Sequence, residues 1–205
     1  MEDFEKKLSM KDAMEVEEKV AASTSSIVLL LRRFLEIQQR RAEAYSKLKR
    51  GFSEYMTSGG ELNYQQLCSE ITVEFNDCSK NVIELESLFR SPDYSRVDLA
   101  QLLRAVQVQE KQKLHLTATI QMLKKAGRPS ERLVSHENCK YRNSKEHECV
   151  HVQEITEASG TQEAEEDAEY DNALKEAIRG VQDAVTTINE HLEEVRYEIA
   201  ALEAE

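Results

Sequence analysis

The strongest pattern of apolar and polar positions lies toward the C-terminus. Leu174, Ile178, Val181, Val185, Ile188, Leu192, Val195, Ile199 and Leu202 recur at steps alternating between four and three residues. Those steps keep the apolar side chains on one stripe of a helix, so residues 163–205 are expected to form an acidic heptad helix packing on a bundle or on a partner. Its lead-in from Glu163 to Asp171 is rich in carboxylates, which suits the positive end of a helix dipole. Gly180 costs about 1 kcal/mol relative to alanine inside a helix and marks close packing or a slight bend.

Three further periodic segments precede it. Ile27, Leu31, Phe34, Leu35, Tyr45, Leu48, Phe52 and Tyr55 follow the cluster Ser23 to Ser26 and stop at Gly59 and Gly60, a good helix start and a good helix end. Gln38 and Arg41 break that stripe, and the break predicts a polar layer. The second segment opens at Asn63, with Gln66 three residues on in capping-box fashion, and sets Leu67, Ile71, Phe75, Cys78, Val82, Leu85 and Phe89 on one seam before Pro92 ends it. The third starts at Ser95 and Asp98 and aligns Leu99, Leu102, Val106, Leu116, Ile120 and Leu123. Gln109 and Lys113 fall on that line, so the middle of the helix is expected to be polar or near an edge.

Connections of four to six residues join the first three segments, which makes them antiparallel neighbours. The fourth follows a connection of about 35 residues, far above the usual loop length. It either returns to complete a bundle or leaves to find a partner. The expected class is all-α: long antiparallel helices in a three- or four-helix bundle or coiled coil, with a long irregular connection before the last helix. The expected organisation is an N-terminal segment over 1–22, frayed or forming a short helix; a three-helix domain over 23–126; a connection over 127–162 with room for a small hairpin; and the acidic helix over 163–205.

Composition supports helices. The chain has only six glycines, two prolines and no tryptophan among 205 residues, too little turn chemistry for an all-β or doubly wound fold. The longest apolar run, Ile27 to Leu31, is too short to cross a bilayer, and the N-terminus lacks the succession of a signal peptide. An intracellular soluble protein without a membrane partner is expected. Cys68 and Cys78 sit ten residues apart on a helix, roughly 15 Å along its axis, too far to bridge. They are expected to be reduced and to serve as small core residues.

The net charge of −12 argues against a protein whose main work is gripping phosphates. Its distribution alternates: residues 23–58 sum to +4, 59–91 to −4, 92–129 to +4 and 163–205 to −11. Antiparallel neighbours would then meet with opposite sign, which guides pairing more than it adds stability.

The stretch from His136 to His151 holds three of the five histidines and two of the four cysteines, and so raises the question of zinc. Structural zinc takes about four convergent donors, usually with two from a tight turn such as C-x2-C, and no such pair occurs here. The candidate donors are Cys139, His147, Cys149 and His151. In a hairpin turning at Asn143 to Lys145 they share a face, but His147 and His151 are then roughly 13 Å apart along the strand. In a helix the two histidines align and Cys149 points away. The expectation is no metal and no cofactor, with the stretch acting as part of the long connection.

Arg32, Arg33, Arg40 and Arg41 lie among the apolar residues of the first segment, a combination that suits contact with a nucleic-acid backbone or an acidic partner, or a solvated, charge-paired face. The acidic second and fourth segments are natural neighbours, so the charge-paired face is favoured. His115 and His191 are isolated, and the chain has no P-loop, GxGxxG turn, HExxH pair or GxSxG elbow. An enzymatic role has no positive support from the residues.

LLRRFLEIQQRRAEAYSKLKRGFSEY (Leu30 to Tyr55), YQQLCSEITVEFNDCSKNVIELE (Tyr64 to Glu86) and DLAQLLRAVQVQEKQKLHLTATIQ (Asp98 to Gln121) together resemble the "required for excision 1-B" (DNA repair REX1-B) domain family. The resemblance rests on ordered blocks rather than on a catalytic signature, and it transfers no site residues. It implies a role in excision repair of DNA and a nuclear location, with the cytoplasm as the alternative.

Together these readings give a non-enzymatic helical scaffold acting as an accessory factor in excision repair. Its protein partners, a second copy among them, would be engaged through Val181, Val185, Ile188, Leu192, Val195 and Ile199. The alternatives are direct DNA-backbone binding by the basic first and third helices, and a coiled-coil subunit of an assembly unrelated to repair. For the His/Cys stretch, elemental analysis of purified, tag-free protein is expected to find no stoichiometric zinc; one zinc per chain would overturn that expectation.

Overall fold

The computed structural model describes residues 2–131 and 157–204, with side chains described for 24–131 and 162–204. Four long helices and no strand occur among the described residues: α1 (Glu2–Ser58), α2 (Glu61–Arg90), α3 (Val97–Ala126) and α4 (Glu157–Ala204). A 3-10 turn, Pro129–Glu131, follows α3. The class is all-α, with helices packed on one another, as the periodicity predicts.

Helix boundaries differ from the expected ones where local signals compete. The serine and threonine cluster at 23–26 lies inside α1, which already begins at Glu2. A cap contributes only about 1 kcal/mol, and the Glu, Lys, Met and Ala residues upstream are good helix formers. α2 starts at Glu61 with Gly60 in the cap position and no side-chain cap. Gln66 donates to Glu70 one turn on, at 3.0 Å, rather than back to the helix start.

The turns follow their residues more closely. Gly59 and Gly127 take positive φ, 87° and 71°, and their N–H groups donate back to Tyr55 O and Leu123 O. This is the left-handed ending glycine adopts without a steric penalty. Ser91, ahead of Pro92, is extended, as a residue before proline must be. Arg96 N then donates to Phe89 O at 2.8 Å, folding the chain back into α3.

The chain divides into two compact units, residues 1–112 with 184–205 and residues 113–183, so the division falls within α3 and α4. The first unit holds the main core: Leu31 and Phe34 of α1, Cys78, Val82, Leu85 and Phe89 of α2, Leu103 and Val106 of α3, and Ile188, Val195 and Ile199 of α4 form one buried cluster. Residues 184–204 of α4 therefore pack in cis and complete a four-helix core. Cys78 is buried, Cys68 is half-buried, and neither is bridged.

The α2 seam is buried from Ile71 to Phe89 in the expected register. α3 is rotated from its expected register: Leu99, Ala100, Leu103, Val106 and Glu110 are buried, while Leu102 is only partly so. The polar position in its middle is thus Glu110 rather than Gln109. In the second unit, a Cβ at residue 180 would lie 2.7 Å from Leu116 Cδ1, so Gly180 marks close packing of α4 on α3.

Ile188 and Ile178 share the heptad but not the environment, at 4% and 39% exposure. Ile188→Ala is expected to cost about 2–5 kcal/mol and Ile178→Ala less than about 1 kcal/mol. Urea unfolding followed by circular dichroism measures both, and equal costs would contradict the packing described.

Candidate functional site

The break in the α1 stripe becomes a buried polar layer. Arg41 is 2% exposed, and Gln38 and Glu110 are each 7% exposed. The Arg41 guanidinium donates through Nη2 to Ser79 Oγ at 3.2 Å and to Gln107 Oε1. Gln107 Nε2 in turn donates to Ser79 O at 3.2 Å, and Tyr45 Oη donates to Glu110 O at 3.3 Å. Three helices are thereby joined through one cation.

Electrostatics follow from the burial. Desolvation pushes the Arg41 pKa down, opposed mainly by the Glu110 charge, and an arginine with such a partner stays protonated. Desolvation, aided by the same Glu110 charge, pushes the Tyr45 phenol well above its ordinary range. Burial likewise raises the Cys78 thiol against the pull of Arg40 and Arg41, which makes it a poor nucleophile. The hydrogen bonds of Arg41 Nη2, Gln107 and Tyr45 run within the layer, while Gln38 Nε2 and Oε1 and Arg41 Nη1 are buried without a hydrogen-bond partner among the described residues; the layer acts as a register lock between α1, α2 and α3.

The other three arginines singled out from sequence are on the surface but engaged. Arg40 meets Glu74 at 2.8 Å and Asp77 at 2.7 Å, and its pKa is raised first by Asp77 and then by Glu74. Arg32 pairs with Glu203 at 2.6 Å, and Arg33 donates to Asn81 Oδ1 at 2.8 Å. Arg104 reaches Glu86 at 3.3 Å, and Arg96 bridges Asp98 and Glu198 at 2.6 and 2.5 Å. The segment-by-segment alternation of charge is thus realised as pairs across α1–α2, α2–α3 and α1–α4, and between Arg96, just ahead of α3, and α4. Arg41 alone of the four is removed from the surface.

The six proposed interaction positions on α4 separate into groups. Ile188, Val195 and Ile199 are buried in the core of the first unit, with Leu192 packed against it and Val185 half-buried. Val181 belongs to the second unit, where the heptad line turns outward: Ala177 is buried while Leu174 and Val181 are half-buried and Ile178 is exposed. There, Asp171, Leu174, Lys175, Ile178, Arg179, Gln182 and Asp183 line an open groove of about 710 Å³. Periodicity located the stripe but not this groove, because it reports which residues share a face and not how wide a neighbour covers it.

No group of metal-binding side chains occurs among the described residues, and Cys139, His147, Cys149 and His151 lie outside them. No described helix is long and apolar enough to cross a membrane.

Fold and surface together define an all-α bundle protein with an open helix face on α4. Residues 29–124 match the model of the DNA repair REX1-B family, in agreement with the resemblance of the sequence blocks. The match takes in α1 from Leu29, all of α2 and nearly all of α3, and leaves α4 outside it. Comparison with curated proteins gives no match, and neither does comparison with solved structures.

Arg41→Met is expected to destabilise the protein by about 3–5 kcal/mol, because it removes the charge opposing buried Glu110 and the donor to Ser79 and Gln107. Arg32→Met, at an exposed pair, should change stability by less than about 1 kcal/mol. The double variant Arg41→Met with Glu110→Met should cost less than the sum of its single changes. Denaturant titration of the four variants checks the pattern, and simple additivity would contradict the coupling.

Proposed function

We propose that the protein is a non-enzymatic helical docking module that serves DNA repair in the nucleus. The observation carrying this reading is the family match over residues 29–124, whose description is DNA repair. The fold adds a physical argument for docking. α1, α2 and α3 with the last part of α4 build one buried apolar cluster, whereas around Ile178 the α4 stripe borders an open groove among the described residues, which gives a partner apolar side chains to meet. Leu174, Ile178 and Val181 are the interaction residues on this reading, and Ile188, Leu192, Val195 and Ile199 hold the helix that presents them.

Direct binding of a DNA backbone is the weaker reading. Phosphate contacts need cations free to meet them, whereas Arg32, Arg40 and Arg41 are committed to partners within the chain.

Proximity labelling in cells with and without DNA damage tests the proposal. The expected neighbours are nuclear repair proteins, increased after damage and diminished by Ile178→Glu. Neighbours unrelated to DNA, unchanged by damage, would overturn it.

A further inference from the structure

α4 is acidic, yet its only basic residues between Glu157 and Val195 are Lys175 and Arg179. Both line the groove of the second unit. Residues four apart on a helix form ridges, and the side chains there lie on two of them: Asp171, Lys175, Arg179 and Asp183 on one, Leu174, Ile178 and Gln182 on the other. The space between the ridges is the kind of groove into which a second helix sets its own row of side chains, crossing at roughly −50°.

The charges along the first ridge then discriminate between occupants. Asp171 is taken by Arg128 at 2.6 Å, and Asp183 lies 3.9 Å from Arg179 within the same helix. Lys175 has no carboxylate within ion-pair reach among the described residues. The ridge therefore presents Lys175, with Arg179 held only by a long, exposed contact to Asp183, beside Leu174 and Ile178. In antiparallel register about the ridge centre a second copy of the chain suits it poorly, because Lys175 would face Arg179 and Asp171 would face Asp183. Like charges directly opposed disfavour that pairing.

We infer that the groove between these two α4 ridges docks an amphipathic helix of another protein, one that sets leucine-type side chains on Leu174 and Ile178 and carboxylates against Lys175 and Arg179. The inference rests on the docking-module reading and specifies the partner's chemistry. It runs against the net charge of the chain, −12, which by itself would recruit a basic helix.

That opposition makes the test sharp. Two synthetic helical peptides share one leucine face; one carries glutamates at i and i+4 along its edge and the other carries lysines at the same positions. Fluorescence anisotropy with the full chain is expected to show the glutamate peptide binding about tenfold more tightly. Ile178→Glu should weaken that binding about tenfold or more, and Lys175→Glu with Arg179→Glu should reverse the preference. The Arg179 side chain is 82% exposed, so the charge variant remains informative even if Ile178→Glu disturbs folding.

Tighter binding of the lysine peptide, equal binding, or binding of neither would overturn the inference. A concentration-dependent doubling of mass in solution that Ile178→Glu abolishes would also overturn it, by naming a second copy as the occupant. If the peptide preference fails while Ile178→Glu still removes repair neighbours in cells, the partner chemistry is wrong and the docking role stands. If those neighbours are never found, the docking role itself fails.

Discussion

A guanidinium taken out of water needs acceptors on its donors and a counter-charge nearby, and Arg41 imposes that demand on three helices at once. Ser79 from α2 and Gln107 from α3 accept its hydrogen bonds, and Glu110 of α3 supplies the opposing charge. A slip of one turn by α2 or α3 would leave a buried cation without its partners, at a cost of several kcal/mol. Apolar packing alone penalises such a slip less, because one leucine replaces another. The rest of the first unit is built around this register: Leu31 and Phe34 lie to one side of the layer on α1, and Ala44 and Leu48 to the other, all buried.

Around that fixed layer, the surface charges act as a second and softer guide. Arg40, Arg104, Arg96 and Arg32 each reach a carboxylate on a neighbouring helix. Exposed pairs of this kind contribute little energy individually. Their arrangement, with basic α1 and α3 alternating with acidic α2 and α4, disfavours pairing two helices of like sign. The same commitments engage Arg32, Arg40 and Arg104 within the fold, so part of the charge that looks available on a helical wheel is not free to meet an external polyanion.

α4 unites the two halves of the functional reading. From Ile188 to Ile199 its apolar residues are core; around Ile178 they border an open groove. The region that matches the DNA repair family ends at residue 124, before this helix begins. The stretch that matches the DNA repair family and the open face around Ile178 therefore lie on different parts of one chain.

Much of this was present in the sequence because helical periodicity is a local property. The α2 seam, the stops at Gly59 and Pro92, the polar break at Gln38 and Arg41 and the alternating charge all depend on residues within a few turns of one another. Tertiary structure decided what local pattern cannot express. It rotated α3 so that Glu110 rather than Gln109 is buried with its charge opposing Arg41, carried α1 back through the apparent cap at Ser23 to Ser26, and buried one half of the α4 heptad while leaving Ile178 beside a groove. The reason is that a stripe specifies which side chains face the same way, whereas burial depends on the width and register of the surface brought against them, and that surface belongs to other helices.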